Sequence, residues 1–358
     1  MPGRSKPKYY VSRPRKKRGG KFFWLVALAL IGGGLWFFCH RAPIKKIAPP
    51  PKPVTTKKQS PPITVWQQAS SDFPRPVHDV FEAQVALARR GISPGSIDSA
   101  LGSQTREAIT VFQQLQNLPL TGKLDDDTRS KLTLDAPVLT SYSVTTDDLA
   151  SLQPIGKTWL AKSEQSSLAY ETELELVSEK AHSNPLLIQK LNPGIVWTNI
   201  FAGTVLKIPE VNYPDPSNEA AVVVVHLNDR YLEAYDDNTN LLLHFPCSIA
   251  AKVEKRPVGE LHVLDIIPNP NYTVDPELFP ESVELQSIGH RLILPPGPNN
   301  PVGIAWIGLD KTGYGIHGTP VPEQVGRTES HGCFRLANWD ADYLLKLVWK
   351  DMPVVVEQ

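Results

Sequence analysis

The 358-residue chain predicts a multidomain protein: a small all-α three-helix bundle, an α+β segment, and a mainly β sandwich or curled barrel. Three observations carry that reading. Between residues 77 and 135, apolar residues recur at helical spacing in three short windows. From residue 219 onward, β-branched and apolar runs alternate with Asn/Asp turns, the pattern of antiparallel hairpins. In that last stretch only Asn338 to Val348 shows a clear helical face, made by Leu344, Leu345 and Val348.

The charge is distributed unevenly. Residues 1–21 form a basic tail with nine Lys/Arg, and residues 41–58 add six more, with no acid in either stretch. The remainder carries 22 basic against 37 acidic residues, a body that repels phosphate and argues against nucleic acid as a partner. Residues 22–39, Phe22 to Cys39, are 18 positions without a charge behind the cluster Arg13-Pro-Arg-Lys-Lys-Arg18. This predicts a single membrane-spanning anchor with its N-terminus in the cytoplasm and everything from residue 41 outside it. A cleaved signal peptide is the competing reading, disfavoured by the length of the run and the lack of a small-x-small site after it. Residues 40–76 read as a linker, because Ala42 to Pro62 holds seven prolines and five lysines. Such a composition buries too little to fold and makes an extended spacer.

Each folded part then follows in order. In 77–135, Val80, Gln84, Val85, Leu87 and Ala88 mark a first helix ended by Gly91. Ile109, Phe112 and Leu115 mark a second, with Ser103 as its cap, and Asp125 to Leu132 gives a third. Phe81, Phe112 and Trp339 at helical spacing read as core. The segment 140–210 opens on the strand-like Tyr142-Ser-Val, has a helix from Glu173 to Ala181, and closes on Ala202-Gly-Thr-Val-Leu-Lys-Ile-Pro209. In 219–358, strands are expected at Ala220 to Leu227, Tyr231 to Tyr235, Leu241 to Ile249, Gly259 to Ile267, Arg291 to Leu294, Ile304 to Leu309 and Pro353 to Val356.

The chemistry points to residues 313–335. Three cysteines make no disulfide framework. Cys39 lies in the apolar run and Cys247 in a strand, whereas Cys333 sits in Ser330-His-Gly-Cys-Phe-Arg335, between His317 upstream and His331 beside it. A cysteine so placed is a candidate nucleophile, since the thiolate attacks and an imidazole generates it. Gly332 and its neighbours allow backbone N–H groups to face a developing oxyanion. His226, His244 and His262 stand alone in strands and read as satisfied polar groups. His317, His331 and Cys333 are also donors that zinc accepts, but their number and spacing match no common zinc pattern, so no metal and no cofactor is expected.

Two resemblances follow. Gln84, Leu87, Gly91, Ile97-Asp98, Gly102, Thr105, Ala108, Phe112-Gln113, Leu118, Gly122, Leu124-Asp125, Thr128 and Leu132 resemble the three-helix peptidoglycan-binding domain, with Ser99 where that family has Gly. Residues 219–358 resemble the catalytic domain of the L,D-transpeptidases (the YkuD family). The matches are Arg256-Pro-Val-Gly259, with Arg for the family's Thr, then Asn300-Pro-Val-Gly303, Tyr314-Gly-Ile-His-Gly-Thr319, Gly326, Ser330-His-Gly-Cys-Phe-Arg335 and Asn338-Trp-Asp-Ala341. Asp351-Met352 replaces the family's Gly-Thr before the last strand. Leu191-Asn-Pro-Gly194 and the closing strand at Pro209 resemble a LysM module, whose family binds N-acetylglucosamine glycans; a structural spacer is the other reading.

The resemblance implies a cysteine acyltransferase. Cys333 is the nucleophile and His317 its base; His331 orients the site or lends its N–H to an oxyanion hole with Gly332. Gly318 allows close packing beside the base, Ser330 bonds within the motif, Arg335 holds a carboxylate or loop carbonyl, and Tyr314 belongs to the block. The implied substrate is the peptidoglycan stem peptide, with release of D-alanine and a cross-link between third-position diamino acids, and carbapenems are implied inhibitors. A carboxypeptidase, a protein-to-wall transferase, and an inactive wall-tethering protein are the alternatives.

Overall fold

The computed structural model describes residues 72–216, 219–328, 330 and 332–358. The basic tail, the apolar run 22–39 and most of the linker lie outside the described residues. No described helix is long and apolar enough to cross a membrane.

The first part holds β1 (Arg75–Pro76), α1 (Val80–Ala88), α2 (Ser103–Leu115), α3 (Asp126–Lys131) and β2 (Thr133–Leu134). β1 pairs antiparallel with β2, so chain expected to be linker through residue 76 already belongs to the fold. Asp79 and Asp125 cap α1 and α3 by accepting from the N–H groups of Glu82 and Thr128, each at 2.9 Å. Ser103 is not the cap of α2. It is the first helical residue, and Gly102 precedes it without any side-chain bond. Two buried glutamines hold the inter-helix loops. Gln84 Nε2 donates to Asp98 Oδ1 and Thr105 Oγ1 at 2.9 and 3.0 Å, while its Oε1 accepts from Ser99 N–H at 2.8 Å. Gln113 donates to Thr121 and Thr128 hydroxyls and accepts from the N–H groups of Thr121 and Gly122. Each replaces, inside the core, the water that a loop backbone would otherwise need.

The second part holds β3 (Leu139–Ser143), α4 (Thr146–Ser151), α5 (Trp159–Ser163), α6 (Glu173–Lys180), α7 (Pro185–Leu191) and β4 (Val205–Pro209). β3 and β4 pair antiparallel, Tyr142 opposite Leu206, and α6 and α7 contribute Leu176, Val177 and Ile188 to a core with Leu206 and Ile208. Asn192, from the Leu-Asn-Pro-Gly run, is buried and bonds Ile188 O and both backbone groups of Lys207 at 2.8 Å. It ties the end of α7 to β4.

The third part holds β5 (Val222–His226), β6 (Tyr231–Tyr235), β7 (Leu241–Pro246), β8 (Gly259–Pro268), β9 (Tyr272–Val274), α8 (Val283–Ile288), β10 (Leu292–Leu294), β11 (Ala305–Leu309), β12 (Gly315–His317), β13 (Phe334–Arg335), α9 (Asn338–Leu345) and β14 (Pro353–Glu357). Eight strands form one sheet in the order β13-β12-β11-β8-β14-β5-β6-β7. The β14–β5 and β12–β13 pairs are parallel and the rest antiparallel. Beyond β7, Ser248 exchanges both backbone bonds with Arg335 at 2.9 Å, so the two ends of the sheet meet and the sheet curls closed. The architecture is a curled sheet rather than a two-sheet sandwich. The Arg291–Leu294 run leaves the main sheet, since β10 pairs only with β9, and α8 adds a helix beyond α9. α9 ends at Leu345, short of Val348.

The three parts form one compact unit. Ser93 N–H donates to His244 O at 2.8 Å and His244 N–H to Gly91 O at 2.9 Å, which covers the open edge of β7. Gly91, at φ +75°, is needed there, because a Cβ would lie 2.7 Å from Leu242 O. Ile97 pairs with Ser183, joining the first part to the second.

Candidate active site

Positions 317 and 333 are brought together by the parallel ladder of β12 and β13. Its register sets Ile316 opposite Phe334 and His317 opposite Arg335. Ile316 and Phe334 are buried in the core, so His317 and Arg335 face the other way, and Cys333, two residues before Arg335, shares their face. Two residues of rise and one strand spacing separate His317 from Cys333, roughly 8 Å between Cα atoms.

His317 is buried and its ring is fixed from two sides. Nδ1 lies 2.6 Å from the Gly318 carbonyl oxygen, which only a protonated Nδ1 can satisfy, so Nε2 is left with its lone pair. The Trp306 ring, from the facing position on β11, stacks on it at 5.7 Å between centroids and 23° between planes. Burial, with the Arg335 charge nearby, lowers the imidazole pKa to about 4 against the pull of the Gly318 carbonyl, so the ring is neutral and basic at neutral pH.

Cys333 is partly exposed, with Sγ 3.5 Å from the Gly313 carbonyl oxygen. Burial pushes its pKa up, partly offset by the Gly315 N–H and the Arg335 guanidinium. At rest Cys333 is therefore a thiol and His317 a neutral imidazole. Cys247 is fully buried and pushed up to about 12, which leaves it inert.

The other expected residues take definite places. Ser330 Oγ donates to Cys333 O at 2.5 Å and accepts from Gly332 N–H at 3.3 Å, closing the turn that carries the sulfur. Gly332 N–H is thus engaged inside the turn. Tyr314 donates to Lys255 O at 2.9 Å, and its ring backs Gly332 while Lys311 Nζ sits 4.9 Å over it. Arg335 is half-buried, with its charge felt at His317 and at both thiols. Gly318 and Gly303 lie against Asn338, where a Cβ would fall 2.3 and 2.0 Å from its Oδ1. His331 lies outside the described residues.

Three neighbours escaped the sequence reading. Trp306 fixes the plane of the base. Tyr272, on β9, is close enough for a charge on Cys333 to raise its phenol pKa, second to burial. Asn338 accepts from Thr319 N–H at 3.0 Å and so holds the loop that follows His317. Only Asn338 had a signal, its place in the Asn-Trp-Asp-Ala block. His226 and His244 are not isolated: both approach Glu233, at 3.3 and 3.1 Å. Burial opposes ionisation of Glu233, but these imidazoles and Tyr235 hold it at about 2. Among the described residues no group of three or more His, Cys, Asp or Glu is arranged to hold a metal.

Residues 220–356 match the family described as "L,D-transpeptidase catalytic domain", and residues 77–132 the one described as "Putative peptidoglycan binding domain". A relative named "Putative L,D-transpeptidase YkuD", from Bacillus licheniformis, is 26% identical over 49% of this chain and 87% of its own length. "Probable L,D-transpeptidase YbiS" of Escherichia coli is 29% identical over 45% of this chain and 52% of its own length, so the chain spans about half of that relative. The crystal structure of L,D-transpeptidase 3 from Mycobacterium tuberculosis aligns at 18% identity over 45% of this chain and 77% of that one, with a TM-score of 0.31.

Proposed function

We propose that the chain is an L,D-transpeptidase through residues 220–356 and acts on peptidoglycan stem peptides through a Cys333 thioester; the match of that segment to the family supports the reading. One observation carries the mechanism: a neutral imidazole, its Nδ1 committed to Gly318 O, shares a sheet face with the thiol. As Sγ attacks the carbonyl of the third stem residue, its proton passes to His317 Nε2. The C–N bond to the terminal D-alanine then breaks, and the imidazolium returns the proton to the departing amine. A side-chain amine of a neighbouring stem attacks the thioester, gives its proton to His317, and releases the sulfur. Arg335 is assigned to the carboxylate of the donor stem, a role suited to its fork. Residues 77–132 would hold the enzyme on the wall, and the run 22–39 would anchor it to the membrane with the catalytic part outside.

The purified chain should release D-alanine from a disaccharide-tetrapeptide and form an adduct on Cys333 with a carbapenem, seen by intact mass. Cys333→Ala should abolish both. Absence of turnover and of the adduct on the intact thiol would overturn the proposal and favour a wall-tethering protein, whose sacculus binding would survive the substitution. Mass spectrometry of muropeptides separates cross-linking from hydrolysis and from attachment of protein.

A further inference from the structure

The second part of the chain reaches under the catalytic base. Glu179, on α6, is buried, and its two carboxyl oxygens lie 3.0 and 3.1 Å from Asn338 Nδ2 at the start of α9. Asn338, fully buried, donates also to Pro298 O and accepts from Thr319 N–H at 3.0 Å. Thr319 follows Gly318, whose carbonyl oxygen is the acceptor that fixes the tautomer of His317. Four groups in sequence thus connect a carboxyl of one part to the base of another. No side chain at 303 or 318 other than hydrogen leaves room for the Asn338 amide, so that amide has one seat and one orientation. Its orientation follows from the contacts: Nδ2 faces two carbonyl-type acceptors, and Oδ1 faces an N–H.

We infer that Glu179 is a positioning residue for His317, acting through Asn338 and the Gly318–Thr319 backbone, so that residues 140–210 complete the active site rather than merely space it. The inference rests on His317 being the base of the proposed reaction. The groups facing Glu179 are Tyr170, whose hydroxyl is 3.4 Å away, Glu175 one turn earlier on α6, Glu323 from the turn 322–324, and Asn338. Burial, aided by Glu175 and Glu323 and opposed by the Asn338 bond, raises the carboxyl pKa to about 8, so it is an uncharged acid at neutral pH. A neutral hydrogen-bonding group is therefore what the site requires, and glutamine should serve.

The test uses the full chain and a readout that needs no peptidoglycan: the iodoacetamide alkylation rate at Cys333, mapped by peptide mass, with buried Cys247 as internal control. His317→Gln should slow alkylation at Cys333 tenfold or more at pH 7. Glu179→Ala should slow it at least fivefold with thermal unfolding still cooperative, and Glu179→Gln should restore it to within twofold of the parent. Glu179→Met, which keeps the bulk but loses the acceptor for Asn338, should slow it as Glu179→Ala does. This variant decides the matter if Glu179→Ala does not fold. Parent-like rates in Glu179→Ala or Glu179→Met with a slow His317→Gln would overturn this inference alone. Parent-like alkylation in His317→Gln would overturn the base assignment and the inference together. A Glu179→Gln variant as slow as Glu179→Ala would also sink it, since bulk would then matter and not the bond.

Discussion

Gln113 in the helical part and His317 in the β part are both buried polar side chains, and both are fixed by backbone partners. Gln113 spends its whole amide on the loop around Thr121–Gly122 and on Thr128, with nothing turned outward. His317 spends one nitrogen on Gly318 O and keeps the other. That single unspent lone pair separates a clamp from the base proposed for the reaction. The same contrast runs through both regions: Gln84 and Asn192 close every bond internally, whereas Cys333 keeps a partly open sulfur.

Exchanging the damage between the two regions gives the largest expected effect. Cys333→Ala should remove all D-alanine release, while thermal unfolding shifts little, because a half-exposed sulfur contributes little packing. Gln113→Ala should do the reverse. It strands the buried Gly122 N–H, at a cost of about 2 kcal/mol, with the Cys333 alkylation rate unchanged in the folded fraction. Comparable stability losses in both variants would erase the distinction.

The pH dependence sharpens it next. Burial holds His317 near 4 in the folded chain, below the ordinary 6.5. The base therefore stays competent well below pH 6.5, and the acid limb of kcat/KM should fall near pH 4 rather than between 6 and 7. The stability effect has a definite sign. With the folded pKa depressed, the unfolded chain binds the extra proton between those values, so stability is complete above about pH 6.5 and declines as pH falls toward 4. His182, lowered by burial to about 3, adds a decline of the same sign. Its ring stacks on Trp339 at 5.2 Å, with no base function to preserve. Glu179 and Asp340, raised by burial to about 8 and about 7, shift stability the opposite way over this range, so the difference in thermal unfolding between the parent and His317→Gln from pH 8 to pH 4 measures the His317 share. An acid limb near pH 6.5 would show that burial does not govern the base.

The Tyr314–Thr319 and Ser330–Arg335 blocks were legible in the sequence because each carries its histidine or cysteine among glycines and small polar residues in an order that resembles a known family. The core of the helical part was legible too, since Gln84 and Gln113 occupy family positions whose purpose is local loop closure. The support of the site was not. Trp306 and Tyr272 reach it only through the curl of the sheet, and Glu179 meets Asn338 across 159 residues. Nothing local marks a glutamate on a short helix as an interior hydrogen-bond partner. The β9–β10 pair and α8 are equally non-local. They pack with Leu168 of the second part, through Val274, Leu285, Leu292 and Leu294, so their existence depends on a neighbour far away in the chain.

The smallest predicted effects come from the two departures from family glycines, one in each region. Ser99 has φ +66° and Asp351 φ +70°, backbone in the left-handed region where a Cβ crowds the following carbonyl. Both are exposed, so a glycine there loses no packing. Ser99→Gly should stabilise the chain by about 1 kcal/mol, the relief of a left-handed non-glycine residue less the added freedom of the unfolded glycine. Asp351→Gly should gain less, because aspartate is among the residues that visit this region most readily. Denaturant unfolding at pH 7 resolves the difference. A loss of stability at either position would mean that the native side chain contributes something beyond its backbone conformation. A larger gain at 351 than at 99 would mean that backbone strain does not order the two sites.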